Sequence, residues 1–162
     1  MSTHVPTPDP ELTADGLRFA LCATRWNREI VEQLLAGARS ALEKRGARQV
    51  EVYRCAGAFE LAPLAARVAR AGEVDGIVAL ACLIRGGTDH YALLASEATR
   101  ALGTLAMEAA TSPRALAVSF GVLACDTLEQ AQERADPRRL DKGGEAALAC
   151  LEQVHALRAV QD

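Results

Sequence analysis

The most continuous apolar run in the sequence covers residues 77–84 and has the length of a β-strand buried on both faces. Shorter apolar or alternating segments at residues 17–23, 50–55 and 115–121 predict three more strands. Between them, apolar residues recur at three- and four-residue spacing, which predicts helices near residues 28–45, 60–71, 89–110, 127–135 and 142–158. Strands that alternate with helices in this way form a parallel sheet with helices on both faces.

Local residues indicate where some of these elements begin and end. Pro63 is tolerated in a helix only within its first turn, so it predicts that the second helix begins near residue 60. Gly46 and Gly72 favour the ends of the first two helices. Thr127, followed by Gln130 three residues later, is a capping signal for the fourth helix.

A ligand site is expected at one edge of this sheet, because open parallel sheets bind ligands at the carboxyl ends of their strands. The predicted strand ends bring together the only tryptophan, Trp26, with Phe59, Glu60 and Phe120. Flat aromatic rings and a carboxylate suit a planar heterocycle that carries hydroxyl or N–H groups. Each residue also has a plainer interpretation, since Trp26 and Phe59 could pack the core and Glu60 could be a favourable first-turn charge.

The segment Arg85-Gly86-Gly87-Thr88 follows the 77–84 strand and precedes a helix with His90 in or beside its first turn. Free backbone N–H groups at a helix N-terminus bind anions, and histidine titrates near neutral pH. The segment therefore predicts an anion site beside a proton carrier. Paired glycines occur in many turns, however, and a single histidine is more often a surface residue.

Composition excludes several classes of protein. The 162 residues fit one domain, with an extended or disordered arm over residues 1–16 predicted from Pro6, Pro8 and Pro10, and a domain over 17–162. A net charge of −3 without a basic block argues against a nucleic-acid partner. No apolar run is long enough for a membrane span and no signal peptide is visible, so we expect a cytoplasmic protein without a membrane partner.

The cysteines and histidines give no sign of a metal or disulfide framework. The five cysteines are odd in number and none forms a C-x-x-C pair, while the three histidines include no pair with ligand spacing. We therefore predict no metal and interpret Cys22, Cys55 and Cys82, which lie in or at the end of predicted strands, as small buried apolar residues.

The chain resembles the 6,7-dimethyl-8-ribityllumazine synthase family in seven motifs that occur in the family's order and spacing over about residues 17–155. They are Arg25-Trp26-Asn27, Gly57-Ala58-Phe59-Glu60, Ile84-Arg85-Gly86-Gly87-Thr88-Asp89-His90-Tyr91, Phe120-Gly121-Val122-Leu123, Glu129-Gln130-Ala131, Glu133-Arg134-Ala135, and Lys142-Gly143 with Glu145-Ala146-Ala147. No single motif is decisive, but together they are highly specific. The resemblance implies a three-layer, flavodoxin-like fold with a four-stranded parallel sheet.

The resemblance also implies the penultimate reaction of riboflavin biosynthesis. The family, a group of transferases, condenses 5-amino-6-(D-ribitylamino)uracil with 3,4-dihydroxy-2-butanone 4-phosphate, releases phosphate and water, and needs no metal or redox cofactor. Residues that by resemblance bind substrate are Trp26, Ala58, Phe59, Glu60, Cys82, Leu83, Ile84, Phe120 and Lys142. Those that bind the phosphate are Gly87, Thr88 and Arg134, and His90 moves protons.

In the family the site lies between two subunits of a pentamer, so the resemblance implies a homo-oligomer that is a pentamer or a pentamer-based assembly. Phe120, Arg134 and Lys142 are then expected to face the pocket mostly from the neighbouring subunit. One alternative is a non-catalytic member of the fold that binds a flavin or lumazine, against which the intact Gly-Thr-x-His segment and Arg134 argue. Another is an unrelated flavodoxin-like regulator, which should carry an acidic cluster at its strand ends.

Overall fold

The computed structural model describes residue 9 and residues 11–160. Strands and helices alternate along the chain, and all nine predicted elements are present. They are β1 (Arg18–Thr24), α1 (Arg28–Lys44), β2 (Gln49–Cys55), α2 (Ala58–Ala71), β3 (Gly76–Ile84), α3 (His90–Ala110), β4 (Ala117–Cys125), α4 (Leu128–Ala135) and α5 (Lys142–Ala159).

The four strands form one parallel sheet in the order β2-β1-β3-β4. β3 is an inner strand with helices on both sides, which explains why its sequence is apolar at nearly every position. Alternate side chains such as Leu21 and Val78 pack against α1, α4 and α5, whereas Cys22 and Ala79 pack against α2 and α3. The predicted three-layer parallel fold is thus confirmed.

β4 is longer than the sequence pattern indicates. The prediction ended this strand at Gly121, but pairing with β3 continues to Cys125, which lies opposite Ile84. Because Val122, Leu123 and Cys125 are buried against the core, the apolar residues after Gly121 belong to the strand rather than to a loop. Phe120 therefore lies in the middle of β4, and its predicted place at the strand's carboxyl end is wrong.

α2 begins two residues earlier than predicted, at Ala58. Pro63 consequently lies beyond the first turn, where it removes the N–H that would otherwise donate to the carbonyl of Phe59. The early start is stabilised by Glu60, whose carboxylate accepts a hydrogen bond from the Gly57 N–H at 2.9 Å. This local cap outweighs the preference of proline for a helix start.

Most of the predicted N-terminal arm lies outside the described residues. Within its last part, the side chain of Ala14 is completely buried and its N–H donates to the Arg45 carbonyl at 2.7 Å. Asp15 forms an antiparallel bridge with Ala47. The chain just before β1 therefore packs against the carboxyl end of α1, and the division of the chain at residue 16 stays a prediction. Among the helices described, none is long and apolar enough to cross a membrane.

At the edge of the sheet where β3 begins, Asp75 joins three parts of the chain. Its carboxylate accepts hydrogen bonds from the Arg18 N–H at 2.8 Å, from Arg158 Nη2 at 2.8 Å and from Arg114 Nη2 at 3.4 Å. The Asp75 side chain is 9 % exposed, whereas both guanidinium groups are about half exposed. Asp75 thus fastens the end of α5 and the α3–β4 connection to the sheet.

Replacing Asp75 with asparagine should lower the free energy of unfolding by about 1–2 kcal/mol, because two charge-assisted bonds are lost and solvent screening of the arginines limits their contribution. Urea titration at fixed protein concentration measures the change. The matched control is Glu73→Gln, since Glu73 is a largely exposed partner of Arg18 and should contribute little. Equal effects of the two substitutions would contradict the assignment to Asp75.

Candidate active site

A cleft of about 600 Å³ opens where β1 and β3 end, and the first turns of α2 and α3 form its walls. Nine residues predicted for the site from the sequence line it. They are Trp26, Ala58, Phe59, Glu60, Cys82, Leu83, Ile84, Thr88 and His90. The carboxyl ends of the strands therefore collect these residues as the parallel topology predicts.

Two large aromatic side chains stand at the mouth of the cleft. Trp26 is 72 % exposed and Phe59 is 60 % exposed, although large apolar rings are usually buried in a folded chain. A Cβ added to Gly57 would come within 3.3 Å of both the Trp26 ring and a Glu60 carboxylate oxygen. The absence of a side chain at Gly57 therefore lets the indole and the carboxylate both approach this turn. The exposed rings of Trp26 and Phe59 remain free to contact a ligand or another chain.

Asn27 holds the first loop of the cleft against β3. Its backbone is left-handed, with φ 53° and ψ 47°, a conformation that asparagine tolerates better than most residues. From there its Nδ2 donates to the carbonyl of Cys82 at 2.9 Å. Asn27 belongs to the Arg25-Trp26-Asn27 motif but had no predicted role. In the structure it holds the loop that carries Trp26 against the end of β3.

The thiols near the cleft are poor nucleophiles. Burial raises the pKa of Cys82 to about 12, and burial together with the neighbouring Cys55 raises the pKa of Cys22 to about 12. Burial also raises the pKa of Cys55. These groups stay protonated at neutral pH, so the cleft holds no thiolate there. The interpretation of Cys22 and Cys82 as buried apolar residues is confirmed, while Cys55 is only partly buried.

The glycine loop between β3 and α3 leaves backbone donors accessible. An added Cβ on Gly86 or Gly87 would meet nothing within 4 Å, and the residue before the helix, Asp89, makes no side-chain capping bond. The first N–H groups of α3 thus lack a side-chain cap, which fits the predicted anion site beside His90. Gly87 belongs to this loop but does not line the cleft of the described chain.

Arg85, although adjacent to this loop, is already engaged within the chain. Its Nε donates to Asp126 at 2.7 Å, and its guanidinium lies 4.5 Å from the centre of the Tyr91 ring. This hydrogen bond raises the pKa of Arg85 above its ordinary value. Arg85 therefore ties the loop to the end of β4.

Besides Gly87, three predicted site residues do not line the cleft of the described chain, namely Phe120, Arg134 and Lys142. Phe120 projects from β4 near α3 and is 48 % exposed. Arg134 donates to the Gln130 carbonyl at 3.2 Å and lies close enough to Cys125 to oppose the rise in the pKa of that thiol caused by burial. Lys142, the first residue of α5, pairs with Glu145.

The cleft also contains Thr24 and Leu94, which no motif includes, and Tyr91, which ends a motif but had no predicted role. Thr24 is a polar residue at the carboxyl end of an apolar strand, and this departure from the apolar pattern could have identified it as a site residue. Leu94 lies one helical turn after His90, so it shares the face that borders the cleft. In the part of the chain that the structure describes, no group of three or more His, Cys, Asp or Glu residues could hold a metal ion.

Comparison with known proteins identifies the family. The family model for 6,7-dimethyl-8-ribityllumazine synthase matches residues 16–158. A protein of that name from Anaeromyxobacter sp. (strain Fw109-5) is 46 % identical over 149 residues, covering 91 % of this chain and 88 % of the relative. Another from Kineococcus radiotolerans is 47 % identical, covering 95 % and 93 %. A third from Nitratidesulfovibrio vulgaris (strain DP4) is 38 % identical, covering 95 % and 97 %.

These matches span nearly the whole domain rather than one motif, and the fold and cleft described above agree with them. The chain therefore belongs to the 6,7-dimethyl-8-ribityllumazine synthase family, as its motifs predict.

Proposed function

We propose that this chain catalyses the condensation of 5-amino-6-(D-ribitylamino)uracil with 3,4-dihydroxy-2-butanone 4-phosphate in the cleft at the ends of β1 and β3. The observation that carries this proposal is the meeting, in one cleft, of an exposed indole, a carboxylate and an uncapped helix start that bears His90. Each group matches a different part of the two substrates, and the family relationship supplies the reaction.

The ribitylaminouracil is expected to lie across the strand ends. Trp26 stacks on its pyrimidine ring, and the backbone of Cys82, Leu83 and Ile84 contacts the edge of the ring. Because one oxygen of Glu60 caps α2, its other oxygen is the one that accepts hydrogen bonds from ribityl hydroxyls. Ala58 and Phe59, at the start of the same helix, form the remaining wall.

The butanone phosphate is expected to lie at the start of α3, where Gly87 and Thr88 provide backbone and hydroxyl donors. His90 moves protons during imine formation and phosphate loss, since it lines the cleft beside that position. The cation that neutralises the phosphate is Arg134. A guanidinium can donate two parallel hydrogen bonds to phosphate oxygens, which makes the contact directional as well as attractive.

The complete site is proposed to need two chains. Phe120, Arg134 and Lys142 come mostly from a neighbouring copy in a homo-pentamer or pentamer-based assembly. The half-exposed Phe120 and the absence of an ion pair for Arg134 within the described part of the chain support this arrangement. The exposed Trp26 and Phe59 would then be covered by the neighbour, which gives them a dry environment.

His90→Ala is expected to lower turnover without abolishing it, by roughly 10²-fold, which is the usual contribution of a positioned proton carrier. Measurable catalysis over the uncatalysed reaction should survive, because alignment of the amine with the ketone and binding of the leaving phosphate do not need the imidazole. Steady-state kinetics with both substrates measures the loss.

His155→Ala is the matched control for this variant. His155 is a partly buried residue of α5, where its ring contacts the Thr13 carbonyl at 2.7 Å, and it does not line the cleft. Its replacement should leave turnover unchanged. Complete loss of activity in His90→Ala with normal binding of both substrates would show that proton transfer, not positioning, dominates.

Mixing the protein with both substrates tests the proposed function itself. The expected result is growth of lumazine absorbance and fluorescence with release of one phosphate for each product molecule. Tight binding of the product or a flavin with no turnover would instead favour the non-catalytic alternative.

A further inference from the structure

Thr24 carries a buried hydroxyl that no residue of the described chain pairs with. Its side chain is 1 % exposed, and its Oγ1 has no hydrogen-bond partner among the described residues. An unpaired buried hydroxyl is unfavourable, and most such groups in folded proteins are paired. Thr24 is also among the residues that line the cleft, but its Oγ1 is covered, so a hydrogen bond to a ligand requires the side chain to turn about its Cα–Cβ bond.

The position of Thr24 in β1 indicates which face of the sheet its side chain lies on. Two and four residues earlier, Cys22 and Ala20 belong to the core cluster against α2 and α3. Side chains in a strand alternate with a period of two, so Thr24 faces the same side. That side is where the start of α2 presents Phe59 and Glu60 to the cleft.

Two other polar side chains of the cleft, Asn27 and Glu60, each already make a hydrogen bond within the chain. Asn27 Nδ2 donates to the Cys82 carbonyl, and one oxygen of Glu60 accepts the Gly57 N–H. Thr24 Oγ1 is instead a buried donor and acceptor without a partner in the described part of the chain, close to the wall that is expected to hold the ribityl chain. A polyol hydroxyl is the complementary group, because it too both donates and accepts.

We propose that the Thr24 hydroxyl forms a hydrogen bond with a ribityl hydroxyl of the ribitylaminouracil and so contributes to recognition of that substrate. This inference rests on the proposed function, since it assigns one more contact in the same cleft. It concerns binding rather than chemistry. Thr24 makes no contact with the butanone phosphate.

The test substitutes Thr24 with valine, which replaces the hydroxyl with a methyl group of similar size. The probe is the ribitylaminouracil in which a nitro group replaces the 5-amino group, so that it cannot condense. Quenching of the fluorescence of Trp26, the only tryptophan, reports its dissociation constant. Thr24→Val should weaken binding about three- to tenfold, and Thr24→Ser should restore it.

A second probe, with a butyl chain in place of the ribityl chain, should bind wild type and Thr24→Val equally. The Michaelis constant for butanone phosphate should also stay unchanged. In urea titration, Thr24→Val should be at least as stable as wild type, because an unsatisfied buried hydroxyl is removed. A purely structural role for Thr24 predicts the opposite, a loss of stability.

Equal affinity of wild type and Thr24→Val for the ribityl probe would overturn the inference. Equal weakening with the butyl probe would also overturn it, because the contact would then be to the ring. Wild-type turnover of the two natural substrates separates these results from a failure of the proposed function. If wild type makes lumazine and the Thr24 substitution has no effect, only the inference fails.

Discussion

Arg134→Ala should raise the Michaelis constant for butanone phosphate by roughly 10- to 100-fold while changing the constant for ribitylaminouracil little. Hydrogen bonds to a charged group typically contribute about 1.5–3 kcal/mol, which corresponds to that range. Within the described part of its own chain Arg134 forms no ion pair, and its Nη1 donates only to the Gln130 carbonyl. Steady-state kinetics with each substrate varied in turn measures the two constants.

Two further variants sharpen this prediction. Arg134→Lys keeps the charge but loses the paired donors. Its Michaelis constant for butanone phosphate should therefore lie between those of wild type and Arg134→Ala. Arg139→Ala is the matched control, because Arg139 lies just after α4 and is engaged with Glu133 at 2.9 Å. An unchanged Michaelis constant for butanone phosphate in Arg134→Ala would refute the proposed phosphate contact.

Gly143→Ala should destabilise the protein by about 3 kcal/mol or more, the upper part of the range for overpacked sites. A Cβ at Gly143 would lie 2.1 Å from the Leu34 carbonyl oxygen and 2.7 Å from the Leu34 Cα. These atoms are backbone of α1, so no side chain can rotate away and α1 and α5 must separate. A loss of this size is a large fraction of the 5–15 kcal/mol that usually stabilises a domain.

Gly103→Ala provides the comparison for this substitution. Gly103 lies inside α3, and a Cβ added there would meet no atom within 4 Å beyond the neighbouring backbone of its own helix. Alanine there should leave the free energy of unfolding unchanged or raise it, since glycine is unfavourable in a helix interior by roughly 0.5–1 kcal/mol. Urea titration at one protein concentration measures both variants. A Gly143→Ala variant as stable as wild type would contradict the close contact of α1 with α5.

The fold was largely predictable because its strongest sequence signals arise from burial. β3 lies inside the sheet with both faces covered, so a continuous apolar run was enough to predict it. The two errors arose where local signals compete with tertiary contacts. β4 continues past Gly121 because β3 supplies pairing partners, and α2 begins at Ala58 because Glu60 caps it despite Pro63.

The candidate site was predictable in part, for a different reason. Parallel topology alone brings Trp26, Glu60 and His90 to one edge, whereas their individual roles came from resemblance to the family. The contact of Asn27 with Cys82 and that of Arg85 with Asp126 join residues far apart in sequence. No local sequence pattern predicts such contacts. The partner for Arg134 is proposed to lie in another chain, so a single sequence carries no geometric trace of it.

The claim that two chains form each site can be tested by mixing two damaged variants. One carries Trp26→Ala and His90→Ala, which damages the cleft. The other carries Arg134→Ala, which under the proposal damages only the contribution to a neighbour. Native mass spectrometry establishes that mixed oligomers form after the two proteins are unfolded and refolded together.

The measurement is the rate of lumazine formation by the equimolar mixed oligomer at low substrate concentration. If each site combines two chains at random, about one quarter of the sites regain both intact halves, so the rate should rise to about a quarter of the wild-type value. A rate no higher than the average of the two separate variants, with mixed oligomers present, would contradict a site shared between chains.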